Sequence, residues 1–211
     1  MHGIRLSLLY ALFAVLTVVA VSQPASSQAE WIGGVRRGGY VIVFRHGATT
    51  SDKTKDSMSN PMSANNVAER QLTSEGRAQA KATGESMRKL GIAVGMVLTS
   101  SLQRAVDTGT LLGFGEVTPT ADLAEGGPAS LSDENNRRAQ AFRALVATRP
   151  PADKNTVIVS HKPNIVDAFG KDFADVREGE ASIFQPDGQA GYKLIVRVKA
   201  EEWGNLTRVS N

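Results

Sequence analysis

Tyr40-Val41-Ile42-Val43-Phe44-Arg45-His46-Gly47 runs five apolar residues straight into an arginine, a histidine and a glycine. A short apolar run rich in β-branched residues predicts a strand buried on both faces, as in a parallel sheet. Ligands of open α/β sheets bind just beyond the carboxyl ends of such strands, which is where Arg45 and His46 fall. Gly47 removes a side chain where the backbone must turn and a ligand can come close. The chain has only three histidines. His161 ends a second run of the same kind, Thr156-Val157-Ile158-Val159-Ser160-His161. Both histidines outside the extreme N-terminus therefore sit at the tip of a predicted buried strand.

The elements around these strands alternate. A short lead-in, partly helical, covers 30–39. Residues 48–70 are polar and read as a long loop beside the strand end, a length that suits a lid or a substrate-selecting wall. A helix opens after Thr73, its N-cap, with Glu75 in the first turn. Ala78, Ala82, Met87 and Leu90 are expected to form its apolar stripe, and Gly91 to end it. Met96-Val97-Leu98-Thr99 reads as a second buried strand. Ser100 or Ser101 is expected to cap the helix that follows, from Leu102 to about Leu112. Glu116-Val117-Thr118-Pro119 suits a short edge strand, and 121–133 a glycine-rich loop. A helix over 134–148 turns Ala139, Phe142, Leu145 and Val146 to one side. After the 156–160 strand, Pro163 starts a short helix through Phe169. The segments 181–185 and 192–198 predict a terminal hairpin around Pro186-Asp187-Gly188. Strands alternating with helices predict an α/β fold, a three-layer α/β/α sandwich with a mostly parallel central sheet.

Composition narrows the class. The chain has 211 residues and a formal net charge of +3. Residues 1–29 read as a signal peptide: Arg5, an apolar stretch from Leu6 to Val21 that is short for a membrane span, Pro24, and an A-x-A-like cleavage site at Ser27-Gln28-Ala29. This predicts secretion, to a periplasm, with no stable membrane insertion after cleavage, and leaves 30–211 as one domain. There is no cysteine, which excludes disulfides, thiolate catalysis and a lipid-modified cysteine anchor. No basic stripe with interleaved aromatics is present, so nucleic acid is not an expected partner.

Three strand ends meeting at one sheet edge would bring Arg45, His46, Arg104 and His161 together. Planar guanidinium forks and a helix N-terminus near Ser100 suit phosphate oxygens. The two arginines disfavour imidazolium and keep His46 neutral, as a nucleophile must be. His46 can then carry the phosphoryl group covalently, while the arginines and His161 stabilise the equatorial oxygens. The leaving alkoxide needs a proton from a nearby carboxylic acid. Glu125 and Asp122 are the candidates. Two histidines without a clear third ligand make a poor metal site, so no metal and no cofactor are expected.

Four ordered motifs then resemble the histidine phosphatase superfamily, the phosphoglycerate-mutase-like group. They are Arg45-His46-Gly47 followed by Thr49; Leu72-Thr73 with Gly76, Gln79 and Ala80; Thr99-Ser100 with Leu102, Arg104, Ala105 and Thr108; and Val159-Ser160-His161. The resemblance implies that His46 is phosphorylated, that Arg45, Arg104 and His161 form the phosphate pocket with Thr49 beside it, that no metal takes part, and that Glu125 stands at the position of the general acid. Asp52, Ser101 and Asp107 depart from residues frequent in the family and bear on substrate choice. No Arg-His-Gly-x-Arg-x-Pro extension is present, which points to the smaller branch. The expected activity is phosphomonoester hydrolysis of a small phosphorylated substrate or a phosphorylated envelope component. The alternatives are a mutase-type phosphotransferase and a non-catalytic phosphoanion-binding protein.

Overall fold

The computed structural model describes residues 25–50, 70–125 and 132–209. Most of the expected 1–29 leader, most of the 48–70 loop with Asp52, and Gly126, Gly127 and Pro128 lie outside them. The order is α1 (Ala25–Arg36), β1 (Val41–Arg45), α2 (Ser74–Lys89), β2 (Val94–Ser100), α3 (Gln103–Leu112), β3 (Val117–Thr120), α4 (Ser132–Ala147), β4 (Asn155–Ser160), α5 (Lys162–Phe169), β5 (Ala181–Pro186), β6 (Tyr192–Val198) and α6 (Trp203–Val209). The six strands form one sheet in the order β3-β2-β4-β1-β5-β6. The first four run parallel, and the hairpin β5–β6 joins β1 antiparallel.

The alternation within β1 builds both layers. Ile42 and Phe44 point into a core shared with Trp31, Ile32 and Val35 of α1, Met87 of α2, Ala105 and Leu112 of α3, and Trp203 of α6. Val41 and Val43 point the other way, against Phe142 and Val146 of α4 and Ile165 of α5. A strand apolar at every position is thereby buried on both faces, and the three-layer sandwich follows. Asn155, fully buried, closes the far end of the sheet. Its side chain donates to the Val35 and Ala93 carbonyls and accepts from the Tyr40 N–H, so no buried polar atom of its amide is left bare.

Several boundaries differ from the sequence reading. The lead-in is a full helix that runs across the expected cleavage point, although Trp31, Ile32 and Val35, which are buried, all lie on the Glu30 side. Thr73 does cap α2, accepting from the Gly76 N–H at 3.0 Å. The buried stripe of α2, however, is Gly76, Ala80, Thr83, Gly84, Ser86 and Met87, and Ala78 and Ala82 are exposed. The packed face is the one with the smallest residues because backbone comes close there. A Cβ at Gly84 would stand 2.0 Å from the Leu112 oxygen, and one at Gly76 2.3 Å from that of Ala48. The N-cap of α3 is Leu102, without a side-chain bond; Ser100 instead accepts from the Leu102 N–H. Met96 is largely exposed, since only the C-terminal half of β2 is covered. Among the described residues no helix is long and apolar enough to cross a membrane.

Candidate active site

Strand register sets the site. Arg45 pairs with Ser160 across β1 and β4, and the His46 N–H donates to the Ser160 carbonyl at 3.0 Å. The residue that follows each of these strands is a histidine, His46 and His161. The rings of His46 and His161 lie 5.2 Å apart. On the other side of β4, β2 delivers α3, whose first turn carries Arg104. His46, His161 and Arg104 are almost fully buried, each at most 1% exposed. The sheet edge thus assembles the residues that the sequence separates by more than a hundred positions.

The turn after β1 is fixed from both sides. Thr108 accepts from the Gly47 N–H at 3.0 Å and donates to the Arg104 carbonyl at 2.7 Å, so one hydroxyl ties the histidine turn to the arginine helix. A Cβ at Gly47 would press on the Gly76 carbonyl oxygen at 3.1 Å. His46 Nδ1 lies 2.8 Å from the Gly47 carbonyl oxygen. A carbonyl only accepts, so Nδ1 carries the proton and donates, and Nε2 keeps its lone pair. Burial first, then the Arg104 guanidinium and more weakly Arg45 and Arg70, hold His46 well below the ordinary imidazole pKa, against the opposing Gly47 bond. Burial and then Arg104 do the same to His161, whose ring nitrogens have no hydrogen-bond partner among the described residues. Both imidazoles are thereby held toward the neutral form, the form that a histidine nucleophile needs.

Arg104 is ion-paired with Glu125 through Nη2. Glu125 is placed by a set of bonds to its own segment. Ser160 donates to the Leu123 carbonyl at 2.8 Å, Asn164 reaches those of Asp122 and Ala124, and Arg138 of α4 donates to that of Glu125. Asp122 turns outward to Arg137 at 2.7 Å. The structure therefore brings Glu125, and not Asp122, into the cluster. Asp107 of α3, where the family often has glutamine, joins α3 to α2 by accepting from Arg77, and also accepts from Gln103 one turn earlier on its own helix.

Arg45 takes part through a segment that sequence reading passed over. Its Nη1 donates to the Val176 carbonyl at 2.9 Å and its Nη2 to Glu178 at 3.2 Å. The Thr49 hydroxyl also donates to Glu178, at 2.8 Å. Glu178 lies far along the chain from both, and no local spacing marks it. Arg70, at the end of the expected 48–70 loop, acts electrostatically on both histidines and on Arg45. Its signal was its position two residues before Leu72-Thr73. Among the described residues no group of three or more His, Cys, Asp or Glu is placed to hold a metal ion.

The buried neutral histidines carry a pH signature. Both folded pKa values lie below the unfolded value of about 6.5. Above that pH neither state binds the proton. Below it the unfolded chain takes up the proton more readily than the folded chain, so stability falls as the pH falls, by at most about 1.4 kcal/mol per unit for each histidine. Urea midpoints should drop between pH 7 and pH 5, and the drop should be about halved in His161→Gln. Equal midpoints at the two pH values would show that the fold accommodates imidazolium.

Residues 41–128 match the histidine phosphatase superfamily (branch 1). No curated protein sequence is significantly similar to the chain. Among solved structures, the protein histidine phosphatase SixA complexed with tungstate is 16% identical, with a TM-score of 0.55 over 77% of this chain and 98% of that one. The mycobacterial glucosyl-3-phosphoglycerate phosphatase complexed with VO3 is 19% identical, with a TM-score of 0.51 over 74% and 97%. These likenesses show a shared fold. The sequence match spans the Arg45-His46-Gly47 turn, Arg104 and Glu125, and the fold returns His161 to the same point, so over residues 41–128 the chain is similar to the histidine phosphatase superfamily, branch 1.

Proposed function

We propose that the chain is a phosphomonoesterase that works without metal through a phosphohistidine on His46. The observation that carries this reading is the buried pair His46–His161 with rings 5.2 Å apart, beside Arg104 and its Glu125 partner. His46 Nε2 forms a bond to phosphorus as the ester P–O bond breaks. The departing alkoxide takes a proton, for which Glu125 in its acid form is the source. A water, deprotonated by the Glu125 carboxylate, then attacks the phosphohistidine. Phosphate leaves and the Nε2 lone pair is restored. Arg45, Arg104 and His161 hold the phosphoryl oxygens through both steps. The phosphatase descriptions of the structural relatives support the reaction class. The first is named for protein histidine and the second for glucosyl-3-phosphoglycerate; the substrate class we propose for this chain is a phosphorylated small molecule or envelope component.

The test is turnover of p-nitrophenyl phosphate in excess EDTA, with an alkyl phosphate measured beside it. Hydrolysis should survive EDTA. Glu125→Gln should slow the alkyl ester by about 10²-fold or more, the scale of general acid catalysis, and the nitrophenyl ester much less, because that leaving group needs little protonation. Loss of activity in EDTA, restored by a divalent cation, would overturn the mechanism.

A further inference from the structure

Residues 176–180 enclose the end of β1 from one side. The Arg45 N–H donates to the Glu180 carbonyl at 3.1 Å, and the Gly179 N–H donates to the carbonyls of Arg45 and His46 at 3.1 and 2.9 Å. Gly179 has φ +75°, and a Cβ there would meet Gln79 at 2.9 Å. The backbone of this segment is therefore pinned. From it one side chain reaches toward the phosphate site. Glu178 Oε1 accepts from Arg45 Nη2 and from the Thr49 hydroxyl, and Oε2 accepts from the Thr49 N–H at 3.4 Å. One carboxylate thus joins the first residue and the fifth residue of the Arg45–Thr49 turn.

The donors of Arg45 divide accordingly. A guanidinium has five N–H groups. One on Nη1 goes to the Val176 carbonyl and one on Nη2 to Glu178, while Nε is buried and has no partner among the described residues. Burial lowers the pKa of Arg45, and Glu178 is the strongest charge opposing that. The pair is 17% and 26% exposed, a setting in which ion pairs add little to stability. Its value is then geometric. A carboxylate beside a phosphate site repels the ligand unless it supplies something in return.

Resting on the phosphatase reading of the same pocket, we infer that Glu178 is a positioning residue: it holds Arg45 and Thr49 so that the Nε–H and the unused Nη–H groups of Arg45 stay available to the phosphoryl oxygens. Two physical effects of removing it have opposite signs. Loss of its charge strengthens anion binding, and loss of its acceptor lets Arg45 swing and weakens binding. Glu178→Gln removes the charge but keeps the Oε1 acceptor that serves both Arg45 and Thr49. Glu178→Ala removes both.

The experiment is titration of the full chain with tungstate, a phosphate analogue, alongside turnover of p-nitrophenyl phosphate. Wild type, Glu178→Ala, Glu178→Gln and Arg45→Ala are compared, with thermal unfolding of each. Positioning predicts that Glu178→Ala binds tungstate about tenfold more weakly and loses a similar factor in kcat/KM, the scale expected when a phosphate-binding group is misplaced by a fraction of an ångström to an ångström. Glu178→Gln should stay within about threefold of wild type on the side of tighter binding, and unfolding temperatures should hardly move. Arg45→Ala should lose more than either. Tighter tungstate binding by Glu178→Ala would make Glu178 a counter-charge only, and equal weakening by Ala and Gln would remove the positional role; either overturns the inference. The binding readout is independent of catalysis. If wild type binds tungstate without hydrolysing any ester, the phosphatase reading is refuted, and the Ala-against-Gln comparison still decides the role of Glu178. Wild type that fails to bind tungstate overturns both.

Discussion

His46→Ala should abolish phosphomonoester hydrolysis, by about 10⁴-fold or more in kcat, the scale on which removal of a covalent nucleophile acts. The reason is specific to one nitrogen. Nδ1 is committed to the Gly47 carbonyl at 2.8 Å, so Nε2 is the only ring atom that can bond phosphorus, and no described carboxylate or hydroxyl is placed to replace it. The variant should still fold. His46 follows a strand held by five register pairs with β4, and the cost is one buried carbonyl left without its donor, about 1–3 kcal/mol. Because Arg45, Arg104 and His161 stay in place, the variant should keep binding phosphate. The check is a rapid-quench experiment with a chromogenic ester: wild type should show a burst with phosphate held on the protein, stable in alkali and labile in acid, and His46→Ala should show neither burst nor label. A label that persists in the variant would move the nucleophile elsewhere.

What the sequence made legible was whatever its local pattern specifies. The run 41–45 read as a strand buried on both faces because every residue is apolar until Arg45, and the structure uses Ile42 and Phe44 for one layer and Val41 and Val43 for the other. The terminal hairpin was legible from Pro186-Asp187-Gly188, where Asp187 accepts from Gln189 and Gly191 N–H groups. The histidines and arginines were legible because strand ends and a helix start carry them. What failed were features set by the partner and not by the element itself. The apolar stripe of α2 was placed on Ala78, Ala82, Met87 and Leu90; Met87 and Leu90 are buried, but Ala78 and Ala82, read as apolar because they are alanines, are exposed. The helix instead packs its glycines, where the backbones of Ala48 and Leu112 come within a Cβ's reach. Glu178 could not be found for the same reason. It lies 133 residues from Arg45 in a stretch of mixed charge, and only the antiparallel return of β5 beside β1 brings it to the site.

Arg104 is the residue whose loss should reach furthest, because one side chain serves binding, the acid and both histidines. Arg104→Ala should lower kcat/KM by about 10³-fold, the upper range for removing one preorganised charged donor from a buried site. It should also move the pH profile. Arg104 is the strongest charge that depresses both histidines, second only to burial for each. Without it both pKa values rise toward the ordinary imidazole range. Imidazolium then forms at higher pH, and a protonated His46 cannot attack. In wild type, activity should persist below pH 6, since His46 stays neutral there; in Arg104→Ala the acid limb of kcat/KM should shift upward. Arg104→Lys separates the two roles. It keeps the positive charge near the rings, so the acid limb should stay low, but an ammonium cannot reproduce the planar fork that pairs with Glu125 and, in the proposed mechanism, holds phosphate oxygens, so the rate should remain well below wild type. Glu125, one-fifth exposed, loses the Arg104 ion pair in the alanine variant and can rehydrate there, which keeps the kinetics interpretable. An acid limb that does not move in Arg104→Ala would mean that burial alone keeps His46 neutral, and the arginine would then act on the phosphoryl group only.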